Sequence, residues 1–157
     1  MLILGIDPGY ERMGCAIIDK TGGEEKLVYS ACATSDRKDS HETRLLSIAK
    51  KLEEIILKFK PDIMAIESLY FTTNQKTATK VAEARGVALY LAAKNKMRVA
   101  EYTPLEVKMA LTGYGRAEKE QVRKMAQAIL KRESLAGLDD EIDAIAVAIA
   151  CRPSPLK

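Results

Sequence analysis

Leu2-Ile3-Leu4-Gly5-Ile6-Asp7-Pro8-Gly9 opens the chain with an apolar run that stops at a carboxylate and a turn. Aliphatic residues over that length suit a buried strand, and Pro8-Gly9 ends it. Two more strand-like segments, Met13–Asp19 and Lys26–Thr34, follow across short polar connections that include Gly22-Gly23. Three such segments in succession predict an antiparallel meander.

Beyond the meander the period changes from two to that of a helix. From Ser40 to Lys60, Leu45, Ile48, Leu52, Ile55, Ile56 and Phe59 fall on one helical face, and Pro61 ends the run. Asp39 at the cap with Glu42 three residues on marks its start, and His41 lies between them. Asp62–Ser68 reads as a short strand, Leu69–Asn74 as a loop, and Gln75–Lys94 as a helix rich in Ala and Gly. Met97–Tyr102 is a fifth strand, and Pro104 suits the first turn of a third helix. A Gly113-Tyr114-Gly115 turn precedes a helix over Glu118–Lys131. The last helix, Asp139–Cys151, is apolar nearly all round and should be buried. The prediction is an α/β fold: a mixed five-stranded sheet, three antiparallel strands then two parallel, with helices on both faces. Residues 1–151 are expected to form one domain and 152–157, with two prolines, a disordered tail.

At 157 residues, with 47% hydrophobic and 30% charged side chains, the composition is that of a globular domain able to enclose a core. No stretch approaches the roughly 18 apolar residues of a membrane span, and Asp7 interrupts the first apolar run without a basic segment before it. The expected location is the cytoplasm. Three scattered cysteines in apolar surroundings read as reduced thiols. A single histidine excludes histidine-rich zinc sites and Ser-His-Asp chemistry at any plausible position.

Four carboxylates carry the chemistry. Asp7 closes the first strand and Glu67 lies near the end of the fourth; if the two strands are parallel neighbours, both acids reach the carboxyl edge of the sheet. Asp140 and Asp143 share a face of the last helix. Alone, the helix acids fit the macrodipole and Asp7 fits a turn, but Glu67 on a strand covered on both faces needs a partner. Gathered together, four carboxylates repel unless a cation neutralises them, and oxygen-only ligation points to Mg²⁺ or Mn²⁺. Two such ions suit in-line hydrolysis of a phosphodiester. The net charge of +3 becomes +7 when these four acids are set aside, a surplus suited to holding a polyanion.

These residues resemble the RuvC family of Holliday-junction resolvases. Ile3-Leu4-Gly5-Ile6-Asp7-Pro8-Gly9 is similar to its first-strand signature, and Ala65-Ile66-Glu67 to its second acidic motif. Ala84-Arg85-Gly86-Val87-Ala88, Val107-Lys108, Gly113 to Lys119 and Asp140 to Ala146 resemble later blocks, so the likeness runs over about residues 2–151. It implies an RNase H-like fold and a homodimer that nicks opposing strands of a four-way DNA junction. It implies two Mg²⁺ per subunit, with Mn²⁺ as substitute, on Asp7, Glu67, Asp140 and Asp143, and Lys119 beside them in catalysis. Tyr70, Phe71, Lys76, Lys80, Arg85, Lys108, Arg116 and Lys119 become DNA-binding candidates. One departure is Tyr70, where the family often has Phe; Phe71 follows, so either ring could open the junction. Collaboration with a branch-migration motor and its junction-binding partner, of the RuvB and RuvA type, is implied as well.

Rival readings are another RNase H-like nuclease acting on RNA or RNA–DNA hybrid, a fragment of an actin-like ATPase, and a non-catalytic junction binder. The ATPase class needs a second Asp-x-Gly half-site, which the chain lacks. A mere DNA binder gains nothing from four carboxylates facing phosphates. For the dimer, the Gln75–Lys94 helix, with Val81, Val87, Leu89 and Leu91 among its small residues, is the expected interface, and Ala88 the position at which a charge would test it.

Overall fold

A computed structural model describes residues 1–69 and 75–152, with residues 75 and 76 described through their backbone alone. Five strands, β1 (Leu2–Asp7), β2 (Arg12–Asp19), β3 (Lys26–Thr34), β4 (Ile63–Glu67) and β5 (Arg98–Tyr102), form one sheet in the order β3-β2-β1-β4-β5. The meander is antiparallel, and β4 and β5 run parallel to β1, as the sequence predicts. An irregularity between Ile17 and Ile18 shifts the β2–β3 register. Helices α1 (His41–Phe59), α2 (Gln75–Lys94), α3 (Pro104–Thr112), α4 (Lys119–Ile129) and α5 (Asp139–Ala150) complete the order.

The period of two in the strands divides the core. Ile3, Ala16, Ile18, Ile63 and Ala65 face α3, α4 and α5, while Leu4, Ile6, Cys15, Ile17, Met64 and Ile66 face α1 and α2. Because Asp7 follows Gly5 by two, and Glu67 follows Ala65 by two, both carboxylates continue the face that carries α5. α5 itself is buried along nearly its whole length, with Ile142 and every residue from Ala144 to Ala150 at 6% exposure or less. Two glycines allow that depth. A Cβ on Gly5 would stand 2.1 Å from the carbonyl oxygen of Ala144, and one on Gly14 only 1.8 Å from that of Asp140. At Gly5 and Gly14 the helix therefore lies directly on the backbone of β1 and β2.

Local signals govern the helix ends. Thr103 and Glu106 form a capping box around Pro104 at the start of α3, and Gly113 closes that helix in the left-handed region. At α1 the cap is Ser40 rather than the expected Asp39, whose N–H donates instead to Asp36 in a turn. α4 stops at Ile129, two residues short of expectation, because Lys131 takes a left-handed backbone. The three thiols are free, with Cys15 and Cys151 buried. No described helix is long and apolar enough to cross a membrane. Tyr70, Phe71, the Lys76 side chain and all of the expected tail except Arg152 lie outside the described residues.

Ala88 corrects the interface expectation. It is fully buried, and Leu91 nearly so, both packed into the core shared with α1 and the sheet. Close helix packing within the chain uses these small residues. The outward side of α2 instead carries Gly86, with open space where a Cβ would project, and Tyr90 at 65% exposure.

Candidate active site

Parallel pairing sets Ile6 opposite Ile66, so Asp7 and Glu67 are the next residues on adjacent strands at the carboxyl edge. The first turns of α5 cross the same edge, brought down onto it by Gly14. Electrostatically the other three acids all act on Asp7. Burial, and then the charges of Glu67, Asp143 and Asp140, push the Asp7 carboxyl from 3.8 up to about 8, with Lys119 opposing. Burial and Asp143 likewise raise Glu67, against Lys119 and Lys108.

Glu67, Lys108, Lys119 and Asp143 line a cavity of about 270 Å³ whose apolar wall is Val107, Val122 and Ala146. Lys119 Nζ donates to Asp143 Oδ2 at 3.0 Å, and that bond raises the lysine's own pKa. Arg12 Nε lies 3.1 Å from Asp140 Oδ2, a buried oxygen with no hydrogen bond among the described residues. No three of the described His, Cys, Asp and Glu side chains stand as a ready metal-ligand set. The acids are gathered but not converged. Their donor chemistry still fits a hard divalent cation: the oxygens are unshared with histidine or thiol, one is orphaned in the interior, and Asp7 is destabilised as an anion.

The other candidates divide. Lys108 is half-buried on the cavity wall, Arg116 is exposed in the turn before α4, and Lys80 sits 5.3 Å over the Tyr10 ring. Arg85 is different. Its side chain is only 16% exposed, its Nε donates to the Glu67 carbonyl at 3.3 Å, and its guanidinium pairs with Glu101 of β5. Two of its three nitrogens have partners within the chain. Sequence reading did not single out Arg12. The signal was the hairpin: Asp7 pairs with Gly14, so Arg12 lies two residues further along the same face.

The family model for crossover junction endodeoxyribonuclease RuvC matches residues 3–151. The chain belongs to the RuvC family. RuvC from Alkaliphilus metalliredigens is 45% identical over 150 residues, covering 95% of this chain and 91% of that protein. The Petrotoga mobilis RuvC is 43% identical, over 94% and 91% of the two chains. Among solved structures, the Thermus thermophilus RuvC in complex with a Holliday junction substrate has a TM-score of 0.90 at 29% identity, covering 96% of this chain and 92% of its own. The RNase H-like fold expected from the first-strand signature is thus that of the RuvC neighbours.

Proposed function

We propose that the chain resolves four-way DNA junctions by nicking opposed strands through phosphodiester hydrolysis at this carboxylate edge. The observation that carries the reading is the gathering of Asp7, Glu67, Asp140 and Asp143 beside a lysine-walled cavity, in a chain of the RuvC family. Relatives under that family's name are endodeoxyribonucleases, and the Thermus protein was solved with a Holliday junction.

Divalent cations, Mg²⁺ or Mn²⁺ and two per subunit, would be held by the four carboxylates and supply an activated water and charge relief at the leaving 3′-oxygen. The chain's own groups do the rest. Asp7 and Glu67, fixed on neighbouring strands, would hold the cations at the sheet edge. Asp140 and Asp143 approach from α5. Lys119, at the N-terminus of α4 and within reach of Asp143, can turn to a phosphate oxygen, and Lys108 offers a second cation across the cavity. The apolar wall of Val107, Val122 and Ala146 limits water on one side of the cavity.

A four-way junction presents equivalent strands related by an approximate twofold axis, so paired cuts in one encounter call for two sites related in the same way. A homodimer is part of this reading, with the Gly86 and Tyr90 side of α2 as its interface. Stacking by Tyr70 or Phe71 on an unpaired base, phosphate contacts from Lys76, Lys80 and Arg116, collaboration with a RuvA and RuvB type motor, and a cytoplasmic setting belong to it too.

The test offers the purified protein a synthetic four-way junction, linear duplex, RNA–DNA hybrid and single-stranded RNA, each with Mg²⁺ and with EDTA. Selective junction nicking that EDTA abolishes is expected. Preferential cutting of the hybrid would move the substrate class to RNA.

A further inference from the structure

Asp140 and Asp143, the two members of the acidic quartet on α5, are each met by a cation of the chain. Asp143 is bound by Lys119, which belongs to the cavity wall. Asp140 is met from the opposite direction by Arg12, the first residue of β2. Its place follows from the fold: Gly14 touches the Asp140 backbone, and Arg12 lies two residues earlier on the same face. The pair is asymmetric. Arg12 is 52% exposed, whereas the Asp140 Oδ2 that it approaches is buried and makes no hydrogen bond.

A half-exposed guanidinium can return to water at little cost, while the buried oxygen cannot do without a cation. A bond of 3.1 Å without hydrogen-bond alignment is correspondingly easy to exchange. We propose that Arg12 is a displaceable internal counter-cation, which neutralises Asp140 in the metal-free protein and competes with the divalent ion for that carboxylate. This rests on the reading of the acidic quartet as a cation site. On that basis Arg12 sets how tightly the site holds metal: the ion gains Asp140 only when the guanidinium leaves, and the guanidinium's charge repels the ion until it does. The arrangement also keeps the acidic edge partly neutral before metal arrives, easing the approach of phosphates. Arg12 is a positioning residue, acting through Asp140.

Calorimetric titration of the protein with Mn²⁺ alone, without DNA, tests this independently of cleavage. Arg12→Gln should bind Mn²⁺ about three- to tenfold more tightly than the parent, the range expected for removing one partly screened like charge near the ion. Arg12→Lys should lie between them. Lys131→Gln removes the same charge at the opposite end of the sheet, where Lys131 pairs with Glu24, and should leave affinity unchanged. Asp7→Asn should weaken binding. If Arg12→Gln binds as the parent does, or more weakly, while Asp7→Asn loses affinity, the role of Arg12 is overturned and the cation site stands. If the parent and Asp7→Asn bind Mn²⁺ alike, the cation site itself is overturned. A lowered melting temperature in Arg12→Gln with unaltered Mn²⁺ affinity would make the pair a plain β2–α5 tie, which also overturns the proposal.

Discussion

Asp7 concentrates the electrostatics of this edge in one side chain. Its pKa of about 8 in the metal-free protein stands far above the ordinary 3.8 of an unfolded chain, so the unfolded state ionises first as pH rises. Folding stability is therefore unaffected by Asp7 below about pH 4, falls as pH climbs, and stops falling above about pH 8, where the folded carboxyl also ionises. In EDTA the melting temperature should drop across this window, and Mg²⁺ should recover more of it at about pH 8 than at about pH 5. Asp7→Asn should flatten the pH slope, abolish nicking and leave junction binding intact; thermal scans and gel-shift assays read all three. Lys108 and Lys119 call for a different measurement. If each contacts a phosphate, its alanine variant should bind the junction more weakly with a salt slope shallower by up to about one unit. Arg85→Ala should slow cleavage with an unchanged salt slope if its groups stay with Glu67 and Glu101, and a shallower slope would make it a DNA contact.

At the scale of elements, the site depends on how closely α5 can lie on the hairpin. Asp140 and Asp143 reach the edge because the helix backbone touches β1 and β2 at Gly5 and Gly14, where any Cβ would collide with a carbonyl. Gly14→Ala cannot be accommodated by a side-chain rotation, since the clash is with backbone. It should cost about 1–3 kcal/mol or more in denaturant unfolding. Its folded fraction should cleave far more slowly than the parent, because the shifted helix carries both α5 acids away from Asp7. An alanine variant with parental stability and turnover would mean that the helix is not held at that distance. The opposite face of the sheet is tied differently. α2 sends Arg85 under the end of β4 to the Glu67 carbonyl, so the second catalytic candidate is braced from the face that its own carboxylate does not occupy.

For the whole molecule, twofold symmetry of the substrate sets the expectation. Sedimentation at micromolar concentration should give twice the 17.3 kDa chain mass. Gly86→Arg finds open space in the subunit, so it should fold, sediment as a monomer and lose paired cutting, leaving singly nicked junctions. Ala88→Arg would not serve, because that position is inside the core and a charge there would unfold the chain. Ligation reads the symmetry of the parent's cuts: paired nicks at equivalent positions give duplexes that ligase seals directly, and asymmetric cuts leave flaps or gaps.

The one-dimensional pattern determined the element order, the meander followed by parallel strands, and the buried last helix. Each follows from hydrophobic period and from Pro and Gly punctuation, which are local properties. It also singled out Asp7 and Glu67 as candidates, because a carboxylate ending an apolar strand needs a reason wherever the strand lies, and Asp140 and Asp143 as a pair on one helical face. What the tertiary structure alone decided is how these groups answer one another. Arg85, basic and beside a motif, is a DNA-binding candidate by sequence, and its partners within the chain come from strands 16 and 18 residues away. Ala88 looked available because small residues suit either an interface or a tight core, and only the position of α1 assigns it to the core. The Arg12–Asp140 pair spans most of the chain and exists because two glycines let α5 descend onto β2. Pairings of that kind are set by packing distance between distant segments, which no local period encodes.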